Sequence, residues 1–253
     1  MNSVKVRNVC IGEGVPKICV PIVGKTREEI LETAKAILSV PVDLVEWRVD
    51  WYESVMEMQK VMALLADLRE ILEDIPILFT FRTKGEGGER ELNPRAYTML
   101  NKMVIASGKI DLVDVEVFSM KEEVVAIIEI AHNHGVKVVG SNHDFLKTPK
   151  KEEMIERLCY MQSIGVDIPK LAVMPQVKKD VLLLLEATEE MASQYADRPI
   201  VTISMSTIGA VSRIIGETFG SAITFGSLGK TSAPGQIEVE KLKKILEIMH
   251  VEA

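Results

Sequence analysis

Apolar residues in this chain follow two rhythms that take turns. Short, almost continuous runs rich in valine and isoleucine, such as 17–23 (KICVPIV), 42–49 (VDLVEWRV) and 76–82 (PILFTFR), read as strands buried on both faces. Between them lie longer stretches with apolar residues at helical spacing, for example Ile30, Ala34, Ile37 and Leu38. The pattern predicts strands at 17–23, 42–49, 76–82, 111–117, 136–142, 168–173, 199–205 and 221–225. It predicts helices at 27–38 (with Thr26 as cap), within 55–72, and at 94–106, 121–132, 150–164, 178–192, about 210–215 and 239–249. Strand–helix alternation calls for a parallel sheet, and eight units in 253 residues fit a closed (β/α)8 TIM barrel, read as a single domain over 1–253. The leftover segment 4–11 opens with alternation (V-K-V-R) and is expected to form a strand or hairpin capping the bottom of the barrel. The competing architecture, an open doubly wound sheet, is weakened because no G-x-G-x-x-G turn follows the first strand.

Composition narrows the functional classes. The formal net charge is −7, with 26% charged residues and no long basic stretch, which disfavours nucleic acid or an anionic membrane as partner. No apolar run is long enough for a signal peptide core or a membrane span. The three cysteines, Cys10, Cys19 and Cys159, lack C-x-x-C spacing, which argues against a disulfide framework or structural zinc site and fits a reducing, cytoplasmic setting.

In a barrel the chemistry lies at the C-terminal ends of the strands, so the polar residues there are the candidates. Strand two ends Glu46-Trp47-Arg48. Strand three ends in Arg82 with Glu86 just beyond, and strand four carries Glu116. Strand five ends Ser141-Asn142-His143-Asp144. Lys170 sits inside strand six, and Arg213 follows strand seven. A strand lysine either snorkels to water at the rim or, desolvated among arginines, becomes a free amine able to attack a ketone. His143 is either a structural, hydrogen-bonded histidine or a proton carrier; its place at a strand end favours the second. Arg48, Arg82 and Arg213 around one rim suit a carboxylate and hydroxyls better than solvent ion pairs. Glu46 either neutralises these arginines or touches substrate, and Met205 either offers a ligand a soft wall or, as strand-end methionines more often do, packs in the core. The only H-x-H, His132-Asn133-His134, falls at a helix end on the opposite face, so no metal ligand set gathers at the catalytic end. The loop 226–236, rich in Gly, Ser and Thr, is either a phosphate cradle or a lid; the acidic loop 84–89 (KGEGGE) is a flexible candidate ill suited to phosphate.

Six segments taken together are more specific than any one of them: EWRVD (46–50), FTFR with EGGE (79–82, 86–89), SNHDF with KTP (141–149), PK with AVMPQ (169–176), SMS through TFG (204–226) and SAPGQI (232–237). In this order, and over nearly the whole chain, they resemble type I 3-dehydroquinate dehydratase. The resemblance implies a metal-free and cofactor-free (β/α)8 enzyme, usually a homodimer, whose small-molecule substrate is 3-dehydroquinate and whose place is the shikimate route to chorismate and the aromatic amino acids. It implies Lys170 as the Schiff-base lysine, His143 as general acid–base and Glu86 as the acid supporting it. Glu46, Trp47, Arg48 and Arg82 fall on the substrate-holding segments, Arg213 on the residue that meets the substrate carboxylate, and Ser232 and Gln236 on a lid. Two positions depart from some members of the family: Pro21 replaces a serine and offers no side-chain donor, and Ile203 replaces a methionine, a change between apolar groups of similar size. Two rival functions remain at this point, a Schiff-base aldolase acting on sugar phosphates and a non-catalytic metabolite-binding barrel.

Overall fold

Strand alternation at the N-terminus produces a hairpin. In this computed structural model, which describes residues 2–119, 121–229 and 231–250, β1 (Val4–Val6) and β2 (Val9–Ile11) pair antiparallel, with Val4 and Val6 buried and Lys5 exposed. The repeating part follows as β3 (Lys17–Ile22), α1 (Arg27–Ile37), β4 (Leu44–Arg48), α2 (Met58–Leu72), β5 (Ile77–Thr80), α3 (Pro94–Ala106), β6 (Leu112–Glu116) and α4 (Lys121–Asn133). It continues through β7 (Lys137–Asp144), α5 (Lys151–Ser163), β8 (Ile168–Val173), α6 (Lys178–Glu190), β9 (Val201–Ser204), α7 (Gly216–Phe219), β10 (Ile223–Ser227), β11 (Ile237–Glu238) and α8 (Val239–Met249). Local chemistry sets the helix starts. Thr26 accepts the Glu29 N–H at the head of α1, and Asn93 does the same for Ala96 at the head of α3, with Pro94 in the first turn.

The strands run parallel in the order β11-β10-β3-β4-β5-β6-β7-β8-β9. The two free sides, β9 and β10, meet at a bridge between Ile200 and Ser221, where the Ala222 N–H donates to the Ile200 carbonyl at 2.8 Å. Strands β3 to β10 thus curl into a TIM-barrel-like ring, and β11 is a two-residue strand that leads into α8.

Because strand side chains alternate, each β-run serves two cores. Outward residues such as Val45, Trp47, Phe79 and Val115 pack under the helices, with Trp47 set edge-on to Phe79 at 5.6 Å between ring centroids. Inward residues Cys19, Leu44, Leu78, Leu112, Val139, Ile168 and Val201 form a separate apolar layer in the lower barrel. Val4, Val6 and Ile11 of the hairpin belong to this same buried cluster, so the hairpin plugs the N-terminal end of the ring.

One predicted element takes another form. The helix expected near 210–215 is a single 3-10 turn, Ala210–Arg213, followed by the short α7. Gly209 explains the tight turn: a Cβ there would sit 2.2 Å from the Ser204 carbonyl oxygen, so the chain folds directly back on the end of β9.

Candidate active site

The same alternation that builds the lower apolar layer puts polar residues inward nearer the strand ends. On β4 these are Glu46 and Arg48, on β6 Asp114 and Glu116, on β7 Ser141 and His143, and on β8 Lys170. Glu46, Arg48, His143 and Lys170 line one cavity at the C-terminal mouth with Arg82 and Glu86, and Arg213, Ser232 and Gln236 close it from the later loops, while Asp114, Glu116 and Ser141 join it through Arg82.

Lys170 does not reach the rim. Its side chain is 5% exposed, with Nζ 3.6 Å from Asp114 Oδ2, 3.8 Å from Glu46 Oε1 and 4.4 Å from the centroid of the Phe225 ring. The snorkelling alternative therefore fails: the nitrogen is held inside the barrel between two carboxylates and over an aromatic face.

His143 is fixed by one carboxylate at two points. Glu86 Oε2 accepts from the His143 backbone N–H at 3.0 Å and sits 3.0 Å from Nδ1. A proton on Nδ1 satisfies that bond and leaves Nε2 as the basic nitrogen of the neutral ring. Burial, reinforced by Arg82 and Lys170, pushes the imidazole pKa well below its usual value, so the ring is neutral at neutral pH. Glu86 is itself placed by Ser119, whose hydroxyl donates to Oε1 at 2.8 Å; burial raises its carboxyl and Arg82 pulls the other way.

Arg82 is the hub. Its guanidinium donates to Ser141 Oγ at 2.8 Å and Glu116 Oε1 at 3.1 Å, and pairs with Asp114 Oδ1 at 2.8 Å. Burial works against the charge, but these acids outweigh it and hold the arginine protonated. Burial pushes Glu116 up to about 7 against the pull of Arg82. For Asp114 burial is outweighed by Arg82 and Lys170, and its carboxyl stays below the usual range. Arg48 is clamped by Asp50 through two 2.8 Å bonds, and Asp50 also receives the Glu89 N–H at 3.1 Å. Asp50 thereby ties the acidic loop to the site. That loop is a built turn and not a loose one, since a Cβ on Gly87 would lie 2.2 Å from the Phe145 ring.

Arg213 differs from the other two arginines. It is 3% exposed and, among the described residues, has no carboxylate partner; its bond is from Nη2 to the Pro234 carbonyl at 3.0 Å, and Nε is buried without an acceptor. Burial lowers its pKa to about 10. Its backbone is pinned: Thr224 Oγ1 donates to the Arg213 carbonyl at 2.7 Å, and the neighbouring Ser212 hydroxyl accepts the Ser204 N–H at 3.0 Å. The loop above it folds over the mouth. Arg48 Nη1 donates to the Ser232 carbonyl at 3.2 Å, and the Ser232 N–H donates to Gln236 Oε1 at 2.9 Å. Position 230 of this loop lies outside the described residues.

Of the residues singled out in the sequence, Glu46, Arg48, Arg82, Glu86, His143, Lys170, Arg213, Ser232 and Gln236 come together at this cavity. Trp47 does not. Its neighbours on β4 point inward, so alternation turns the indole outward, where it is fully buried beneath the helices. Trp47 is a packing residue and not a substrate contact. Met205 is buried and lines the cavity together with Ile203 and Phe225, the soft-wall reading of the two. Asp50 and Asp114 are not among the residues the sequence singles out for a role, and Ser141 stands there only as one of four polar residues ending its strand. Counting back two positions along each strand from Glu116 and His143 finds the last two. His132, in the H-x-H, pairs at 2.8 Å with Asp167, which also bonds the Val138 N–H ahead of the catalytic end.

Comparison with known proteins identifies a family. A family model described as type I 3-dehydroquinase matches residues 18–253. The chain is 52% identical over 248 residues to a 3-dehydroquinate dehydratase of Clostridioides difficile, covering 98% of this chain and 97% of that protein. It is 52% identical over 250 residues to the 3-dehydroquinate dehydratase of Listeria welshimeri, covering 99% of each. Among solved structures, the type I 3-dehydroquinate dehydratase of Clostridium difficile with covalently modified comenic acid superposes with a TM-score of 0.96 at 52% identity, over 99% of both chains.

Proposed function

Because the chain belongs to the type I 3-dehydroquinase family, we propose that it removes water from 3-dehydroquinate to give 3-dehydroshikimate, a step of the shikimate pathway, by way of an imine on Lys170. The observation that carries this reading is the pairing, inside one cavity, of a buried lysine amine with a neutral histidine fixed by Glu86.

The chemistry follows from the groups present. The Lys170 amine adds to the ketone, and the ketone oxygen leaves as water. The protonated imine withdraws electrons from the adjacent carbon more strongly than the ketone did. Neutral His143 takes the proton from that carbon and leaves a neutral enamine. The enamine then expels the hydroxyl one carbon further on, and the imidazolium returns its proton to the departing oxygen. Water hydrolyses the imine and frees Lys170. The water lost at imine formation is restored at hydrolysis, so the net change is the loss of one C–H hydrogen and one hydroxyl. Arg213 supplies the cation for the substrate carboxylate, Arg48, Arg82 and Glu46 engage its hydroxyls, and Ser232 and Gln236 close above it. Closure excludes water from the enamine. The aldolase alternative is disfavoured because the glycine-rich loop engages Arg48 and Arg213 through its own carbonyls. The reading also takes the chain as a single-domain, cytoplasmic homodimer, supported by its three free cysteines and by the usual assembly of the family.

The test is direct. The enzyme should generate an ultraviolet-absorbing enone from 3-dehydroquinate, and borohydride added with substrate or product should leave a stable adduct that maps to Lys170. Lys170→Ala should keep its fold and lose turnover. An adduct on another lysine, or no enone, rejects the assignment.

A further inference from the structure

Among the described residues, Asp114 is the one carboxylate of the site with a buried oxygen that has no hydrogen-bond partner. It is fully buried on β6, and Oδ1 is occupied, receiving the Ser141 hydroxyl at 2.6 Å and facing Arg82 Nη2 at 2.8 Å. Oδ2 is buried, has no hydrogen-bond partner, and lies 3.6 Å from Lys170 Nζ. Leaving a buried charged oxygen unsatisfied is costly, so its position calls for a donor that the resting site does not yet supply. Glu46 Oε1, the other acid near the amine, already accepts the Thr80 hydroxyl at 3.0 Å.

We infer that Asp114 is the counter-ion that receives the single N–H of the protonated imine on Lys170 and keeps that nitrogen protonated. The inference rests on the Schiff-base reading above. Counted from the ammonium form of Lys170, two of its three N–H hydrogens leave with the ketone oxygen as water, and the protonated imine keeps one, in the plane of the double bond. A nitrogen with one N–H needs one acceptor, and Asp114 Oδ2 is the acceptor without a competing donor. The other groups facing the nitrogen do not substitute for it. Arg82 and His143 bear no acceptor free for an iminium, since Arg82 is a cation and His143 must face the reacting carbon. Arg48 is a cation clamped by Asp50, the Cys19 thiol lies in the apolar layer below, and Phe225 offers a ring face. Arg82 keeps Glu116 as a partner whatever Asp114 does. Asp114 is therefore a positioning residue that acts through Lys170, maintaining the electron-poor form of the imine up to the moment His143 removes the proton.

The sign of the effect is fixed. A nearby anion raises the pKa of the imine, typically by about 1–3 units at such separations. Removing it lowers that pKa, so the imine loses its proton, and the enzyme its turnover, at a lower pH. In Asp114→Asn the alkaline limb of the kcat–pH profile should move down by at least about one unit. The yield of borohydride adduct against pH should fall with the same displaced midpoint, because the protonated imine is the reducible form. A role in folding alone would lower the amplitude without moving either midpoint. Ser141→Ala provides a second test that leaves the carboxylate in place. Stripped of one donor, Asp114 holds its charge less tightly and attracts the imine proton more, so the limb should move in the alkaline direction. Midpoints that stay at the wild-type pH in a folded Asp114→Asn enzyme, or a Ser141→Ala limb that stays put or moves to lower pH, overturn the inference. Failure of the wild-type enzyme to form the Lys170 adduct would instead reject the Schiff-base reading itself.

Discussion

Replacing Arg213 with methionine separates binding from folding more cleanly than any other substitution in the site. Methionine keeps most of the stem and its packing but deletes the guanidinium. In the free enzyme that guanidinium is nearly fully buried, has no carboxylate partner among the described residues, and has its pKa lowered to about 10 by desolvation. At 1.36 kcal/mol per pKa unit, the depression amounts to roughly 3 kcal/mol of unfavourable free energy in the folded state at neutral pH. The sign is that of a cation whose folded pKa is depressed: the cost is present in full below the folded pKa and disappears as the pH rises towards the unfolded value. Deleting the charge removes this cost and loses the single neutral-acceptor bond to the Pro234 carbonyl, worth about 1.5–3 kcal/mol for a charged donor. The two nearly cancel, so Arg213→Met should melt at or slightly above the wild-type temperature. Substrate binding should respond quite differently. Losing one partner of a buried, hydrogen-bonded charge pair costs about 2–5 kcal/mol, which is roughly 30- to several-thousand-fold in kcat/KM. Steady-state kinetics beside thermal denaturation decides the matter. A variant with wild-type KM refutes the carboxylate role, and a variant that melts many degrees lower refutes the claim that the resting cation is uncompensated.

Three further expectations follow from the same geometry. His143 is held neutral by burial and neighbouring cations, so kcat/KM should stay level as pH falls through 6.5, the usual histidine pKa, and decline only below it; an acid limb at or above that value contradicts the lowered pKa. His143→Ala should still trap borohydride on Lys170 while turning over about 100- to 10,000-fold more slowly, as judged by mass spectrometry beside the enone assay; near-normal turnover removes it from the proton path. Gly235→Ala should prevent the loop from seating, because a Cβ there would fall 2.2 Å from the Ser206 carbonyl oxygen at a backbone φ of 78°; amide exchange across 226–236 should then stay fast with a trapped ligand, and protection equal to wild type would show that the loop does not close as described.

The fold was legible because barrel strands are buried on both faces, which gives each a run of β-branched residues distinct from the helical spacing on either side. The helix starts at Thr26 and Pro94 carried their own signals. The 210–215 region misled because Gly209 forces the chain back on β9 before a regular helix can form. The two-residue β11 is too short for any periodicity to announce. Within the site, the residues that project from strand ends were found, while those that act one layer deeper were not. Trp47 shows why a motif is an incomplete guide: EWR reads as one block, yet the pleat sends Glu46 and Arg48 into the cavity and the indole between them into the outer core. Asp114 shows the converse. Surrounded by Leu112, Val113 and Val115, it looks like one polar residue in an apolar strand, and its meaning depends on Arg82, Ser141 and Lys170, which three other strand–loop units deliver.

The hairpin at the start of the chain fixes the traffic through this molecule. With Val4, Val6 and Ile11 packed into the lower barrel, the N-terminal end is stoppered and the site faces the C-terminal mouth. On the proposed reaction, the substrate and the product would share the C-terminal mouth beneath Ser232 and Gln236 with the water shed when the imine forms and the water that hydrolyses it. Entry and departure then share the face that Ser232 and Gln236 line, opposite the hairpin.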